Sequence, residues 1–369
     1  MGQRLSCFGS SAHDTAQPSP PSSVAAPPLG PSPPDSETAA RARGFQFKLY
    51  DWKSTARHTE ITAQTHPELV KELRTIAHAL AHHHQYLAVV TDIMRDFWTR
   101  LTPQQRPSTS PPTLQDVTDF LQQHFPVVRM WAGLVGQWGM VDKGEGDNAI
   151  YLPTTVLVDA NRYLQTPLPA TEADAFHITA HNLLLTITLA HELVHACSKW
   201  IFGAVLTPNG IGRNDNGHGE SGWEAESRLL GAYLYLEWKG GFRKFRMDQV
   251  VAYYLEDPTR PGFEVRLDED DISAWGPAIT YALDNNLPFP PPPINFATST
   301  RAPRPSRGYI RMRIPVVLHR SGSSSPDTSE PSDEPSGEQP PATAPLPVIG
   351  GSSDANNPLI RYRVSSPSV

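Results

Sequence analysis

The sequence predicts an α+β fold, mostly helical, organised as a single domain with a small sheet. Three observations carry that expectation. Apolar residues recur at helical spacing in several long runs, the longest from Phe176 to Ala204. Alternating runs suited to strands are few and short, at 44–50, 148–152 and 155–158. The 38 prolines concentrate toward the two ends, so one folded unit with flexible flanks is expected. The boundaries follow from composition: a disordered tail over 1–43, a folded domain over 44–295 and a disordered Pro/Ser-rich tail over 296–369.

Residues 10–42 are rich in Pro, Ser and Ala and offer little apolar surface to offset ordering entropy, so they read as a spacer. The alternating run Gly44 to Tyr50 is an expected short strand. Thr65-His66-Pro67-Glu68 reads as a capping box with proline in the first turn, opening a helix through Leu69, Leu73, Ile76, Leu80 and Leu87. His78, His82, His83 and His84 lie on it. No carboxylate is interleaved with them, so a partly solvated helical face is expected rather than a metal site. Thr113-Leu114-Gln115-Asp116 starts the next amphipathic helix, carrying Leu114, Val117, Phe120 and Leu121. Asn148 to Leu152 and Thr155 to Val158 read as strands, and the segments Arg246 to Leu255 and Ile272 to Asn285 as helices. Pro288 to Pro293 is expected to close the domain. The basic stretch beyond it contains Ile310-Arg311-Met312-Arg313-Ile314, echoed by Ile360-Arg361-Tyr362-Arg363-Val364. Both alternate as edge strands do, for a partner or anionic lipid, or are similar by chance within a solvated tail.

Within the longest helical run stands His191-Glu192-Leu193-Val194-His195, which spells H-E-x-x-H. At about 3.6 residues per turn, positions i and i+4 share a face, so two imidazoles can reach one ion. Glu192, roughly 100° around the helix, is placed to take a proton from an ion-activated water. The flanking Leu183, Leu184, Ile187, Leu189, Val194 and Ile201 imply that the motif lies in a buried helix. A buried His-Glu-His cluster without a counter-ion is costly to desolvate, and a divalent cation removes that cost.

A third ligand must come from elsewhere. The eleven-residue continuation used by one zinc-peptidase branch is absent, because Ser198 stands where glycine and Ile201 where histidine would be needed. Downstream lies Gly217-His218-Gly219-Glu220-Ser221-Gly222-Trp223-Glu224-Ala225-Glu226-Ser227. Together with HELVH this stretch resembles the gluzincin branch of the zincin-type zinc metallopeptidases, and it is also similar to poorly characterised fungal H-E-x-x-H proteins. The resemblance spans about 178–238. It implies a second ligand helix, with Glu220 as third zinc ligand and Glu224 as the acidic partner of a ligating imidazole. Read without it, Ser221-x-x-Glu224 is a capping box, and Glu224 or His218 becomes the third ligand, with Asp215 a weaker candidate. The resemblance further implies Zn²⁺ as cofactor, a peptide or protein substrate, Glu192 as general base, and a strand beside the motif helix, 148–152 or 155–158, that aligns substrate. Tyr233, Tyr235, Tyr253, Tyr254 and Tyr281 are each able to donate to an oxyanion, and the sequence selects none.

Net charge of −7 gives no basis for nucleic-acid binding. Cys7 and Cys197 are the two cysteines, too few and too far apart for a disulfide framework, so a reducing, cytoplasmic setting and a monomer are expected. The first thirty or so residues lack the apolar core of a secretory signal. Met1-Gly2-Gln3-Arg4-Leu5-Ser6 matches the N-myristoylation pattern at Gly2, and Cys7 is placed for palmitoylation. Two acyl chains anchor where one gives only marginal residence, so peripheral attachment to the cytoplasmic face of a membrane is the implied consequence. The rival expectation is a membrane-tethered, zinc-stabilised interaction module without catalysis.

Overall fold

The computed structural model describes residues 45–54, 57–134, 138–143, 147–155, 172–212, 219–239 and 249–313, all within the compact unit Met1–Arg320. The N-terminal tail with Gly2 and Cys7, the candidates Asp215 and His218, and the second unit Ser321–Val369 lie outside the described residues. Among the described residues, six α-helices and two small sheets give the mixed α+β domain expected.

The first sheet orders as β2-β1-β3-β5-β4, from β1 Leu49–Ser54, β2 Arg57–Glu60, β3 Val127–Trp131, β4 Met140–Val141 and β5 Ala149–Pro153. β1 and β5 run parallel to β3, whereas β2 and β4 pair antiparallel at the two edges. Alternation sends Leu49, Val128, Met130, Ile150 and Leu152 into the core. The strand expected at 148–152 is therefore β5, paired on both sides, and the edge beside the motif helix is β4. A strand over 155–158 is not seen: Thr154 and Thr155 are helical and 156–158 lie outside the described residues.

The helix expected from Thr65 is two helices. α1 (Pro67–His82) has His66, not Thr65, at its N-cap; the Thr65 hydroxyl instead donates to the Thr62 carbonyl at 3.1 Å. The chain breaks at His83, where α2 (His84–Arg100) begins. His83 Nδ1 accepts from the Tyr86 N–H at 3.2 Å and Nε2 donates to the Leu287 carbonyl at 2.8 Å, so this histidine is a buried cap between two chain segments. His78 is buried as well, against Phe45, so the solvated-face expectation fails for both. α3 (Leu114–Gln123) has the Thr113–Asp116 capping box that its sequence announces.

α4 (Glu172–Phe202) is the long central helix and carries HELVH. It packs on α1, α3, α5 (Ser221–Leu230) and α6 (Glu269–Asp284), and its later turns lie against β4 and β5. Polar ties fix its height. The buried Tyr86 hydroxyl donates to the Ala190 carbonyl at 2.7 Å, Asn148 Nδ2 to the Ala196 carbonyl at 2.9 Å, and Lys199 Nζ to the carbonyls of Asp142 and Asp147. Phe97 and Phe202 stack at 4.3 Å near its end.

The second sheet orders as β8-β7-β6-β9, and the alternating run at 310–314 supplies its edge strand, paired within the chain. Val250–Glu256, expected as helix, is β7; its Tyr253 and Leu255 pair with Leu236 and Leu234 of β6 (Tyr233–Lys239) and enter the core. β8 is Glu264–Leu267, and β9 (Tyr309–Arg313) pairs antiparallel with β6. The ordered fold thus runs past the expected end at 295. Arg311 is no surface cation: it is clamped by Glu237 and Glu264 and lies over the Tyr254 ring at 3.6 Å. The Pro-rich stretch packs into the domain rather than closing it, with Phe289 buried against His83.

Candidate metal centre

Two helix segments make the centre. His191 and His195, one turn apart on α4, turn both Nε2 atoms to one point, 3.2 Å from each other. Glu220 meets them from the residue immediately before α5. Its Oε1 lies 3.4 Å from His191 Nε2 and in direct contact with His195 Nε2. Its Oε2 accepts the Trp223 N–H at 2.5 Å, so Glu220 is itself the N-cap of α5. The capping box expected at Ser221 and Glu224 does not form, because the helix begins one residue earlier than that pattern requires.

The loop that delivers Glu220 is held by backbone bonds, Gly219 N–H to Thr207 carbonyl at 3.0 Å and Glu220 N–H to Ile211 carbonyl at 2.7 Å. Gly222 then allows the first turn of α5 to lie on the His191 ring. A Cβ there would stand 2.5 Å from His191 Cγ and nearer still to Cδ2 and Nε2. One helical turn later, Glu226 Oε1 accepts from His191 Nδ1 at 2.7 Å. Glu226, not Glu224, is therefore the acidic partner of the imidazole. Glu224 faces the other way, accepting from Gly212 N–H at 2.9 Å and Arg228 Nε at 2.7 Å. The overlooked signal was Gly222-x-x-x-Glu226, since i and i+4 share a face while Glu224 stands about 200° from Gly222. His195 Nδ1 pairs with Ser221 Oγ at 3.2 Å, so each imidazole is oriented from behind.

His191, His195 and Glu220 can hold a metal ion, and they form the one such group among the described residues. With both Nδ1 atoms engaged from behind, both Nε2 atoms face the shared point with Glu220 Oε1. Ligands about 2.0–2.1 Å from a tetrahedral ion stand about 3.3 Å apart, close to two of the three separations, 3.2 and 3.4 Å, whereas Glu220 Oε1 stands nearer to His195 Nε2 than that spacing. Glu192 completes the centre. It is buried, neither carboxylate oxygen has a hydrogen-bond partner among the described residues, and a Cβ on Gly139, just before β4, would stand 2.5 Å from its Cγ.

The electrostatics follow from shared burial. Desolvation raises Glu192 to about 8, assisted by Glu220 and Glu226 and opposed by His191 and Lys143. Burial would also raise Glu220, but His195 and His191 outweigh it and hold that carboxyl well below the usual range. Burial would lower His191, yet Glu220 and Glu226 together raise it to about 10. For His195, burial prevails over Glu220 and lowers it to about 4. Lys143, two residues past β4, is buried and lowered to about 8 by desolvation, against the attraction of Glu220 and Glu192.

Among the five tyrosines, Tyr235 donates to Glu256, Tyr254 carries Arg311 on its ring, and Tyr281 is exposed. None of the described contacts brings them to the centre. Comparison with protein-family models, with curated proteins and with solved structures gave no match.

Proposed function

We propose that the chain is a zinc-dependent peptide-bond hydrolase of gluzincin-like design, with His191, His195 and Glu220 holding Zn²⁺. The observation that carries this is Glu192. A purely structural ion site has no use for a buried carboxylate beside the ligands that lacks hydrogen-bond partners among the described residues. Bound zinc would supply Lewis-acid polarisation of a carbonyl and acidification of water. Glu192 would take the proton from the attacking water and hand it to the leaving amine. Glu226 and Ser221 would hold the imidazoles in the ligating orientation.

One observation favours the rival, a non-catalytic zinc-stabilised module: His191, Glu192 and His195 are at most 1% exposed and Glu220 only 6%. Glu192→Gln separates the two. In a hydrolase it abolishes cleavage of a peptide library while zinc stoichiometry stays near one; in a module every measured property survives. Cytoplasmic location with attachment through Gly2 and Cys7 belongs to the same proposal, as do a protein or peptide substrate and a monomeric state. No helix among the described residues is long and apolar enough to cross a membrane.

A further inference from the structure

Lys143 is not explained by the ligand set. Lysine is rarely buried unless paired, yet Lys143 is buried where the sheet edge meets the Glu220 loop. Its ammonium donates to Thr207 Oγ1 at 3.1 Å and lies 5.6 Å from the Phe97 ring centroid. The Thr207 carbonyl in turn accepts from Gly219, the residue before Glu220. On the other side Lys143 follows β4 by two residues, and Gly139 immediately before β4 abuts the Glu192 carboxylate. The carboxylates that act on its charge are Glu220 and Glu192. With Glu226, three buried carboxylates share a site with two imidazoles.

We propose that Lys143 is the built-in counter-cation of the centre, a positioning residue that ties the Glu220 loop to the β4 end of the sheet and offsets the charge of Glu192 and Glu220. A merely structural lysine would act through its hydrogen bond and its packing alone. A counter-cation is coupled to the other charges, favourably to the carboxylates and unfavourably to a divalent ion in the same site. The inference rests on the metal reading only for its zinc arm.

The test uses the full chain and two measurements. In chelator, thermal unfolding is compared for wild type, K143M, E192Q and the double variant. K143M is expected to melt lower than wild type, and E192Q to recover part of that loss, so that the double variant is more stable than the two single changes add to. Strict additivity, or a double variant that stays unfolded, overturns the proposal. In the second measurement, zinc affinity is read by competition with a chromophoric chelator. Loss of a neighbouring positive charge is expected to tighten zinc binding by roughly tenfold or more in K143M. K143R, which keeps the charge and a donor for Thr207, should stay within about threefold of wild type. Equal or weaker binding by K143M overturns the counter-charge role. If wild type takes up no zinc but the Lys143–Glu192 coupling is present, the hydrolase reading falls and the counter-cation stands. If zinc binds and the coupling is absent, the reverse holds.

Discussion

Replacing Gly222 by alanine isolates the close approach of α5 to the His191 ring. The glycine lies in the first turn of a regular helix, where alanine is intrinsically preferred by about 1 kcal/mol, so propensity alone makes G222A stabilising. Packing opposes this. The new Cβ would stand 2.5 Å from His191 Cγ, whereas carbon atoms rest about 3.5–4.0 Å apart, so one partner must retreat by about 1 Å. The ring is poorly placed to do so, because His191 is fully buried and its Nδ1 is held by Glu226 at 2.7 Å. Overpacking of this kind costs about 1–3 kcal/mol, which exceeds the propensity gain across most of its range. The difference is a net loss of up to about 2 kcal/mol, which corresponds to up to roughly 4–8 °C in a domain of this size. Because the retreat carries Glu220 or His191 away from the shared point, zinc affinity should fall by about tenfold or more. Thermal scans with and without zinc, and chelator competition, read both quantities. A G222A protein that melts no lower than wild type and binds zinc equally well would refute the argument that a missing side chain sets the ligand geometry.

Two further outcomes follow from neighbouring residues. Glu226→Ala leaves His191 Nδ1 without its carboxylate and should weaken zinc binding by about 10–100-fold, whereas Glu224→Ala, which removes a contact to Arg228 and Gly212, should leave it within about threefold of wild type; equal effects would show that Glu226 does not orient the ligand. His83, desolvated and fully engaged in its neutral form, is held below its ordinary value despite the bonds to Leu287 and Ala282 that favour its charged form. The unfolded chain therefore binds more protons as pH drops, so the stability contributed is present above about 6.5 and lost below it. H83N, which keeps an N-cap acceptor, should shallow the fall in unfolding free energy between about pH 6.5 and 5, and an unchanged slope in urea titrations would contradict this.

What could be read in advance divides by range. The His191, Glu192 and His195 cluster was legible because i and i+4 on one helix are neighbours whatever the rest of the chain does. Glu220 was found by resemblance and its role as the N-cap of α5 only by geometry, since the sequence pattern points to Ser221 as the cap. Glu226 went unnoticed because attention to the spacing from Glu220 hid its spacing from Gly222. The mostly helical α+β character was visible in the apolar periods of α3, α4 and α6, where the pattern is long or its caps explicit. Of the second sheet only the alternation of β9 showed, without its partner 70 and more residues away in β6; Val250 to Glu256 owes its strand form to pairing with β6 and β8. Such pairings leave no local trace in periodicity. The break at His83 was likewise hidden, because its partners are Tyr86 on one side and Leu287 on the other.

The Glu220 carboxylate serves two masters, one oxygen turned to the imidazoles and the other closing the open end of α5. An aspartate would still close the helix but would fall about 1.5 Å short of the histidines, and a glutamine would dilute the charge at both places. Side-chain length at this position is thus fixed from two directions. Any shift of this carboxylate toward or away from the imidazoles is therefore felt at the first turn of α5.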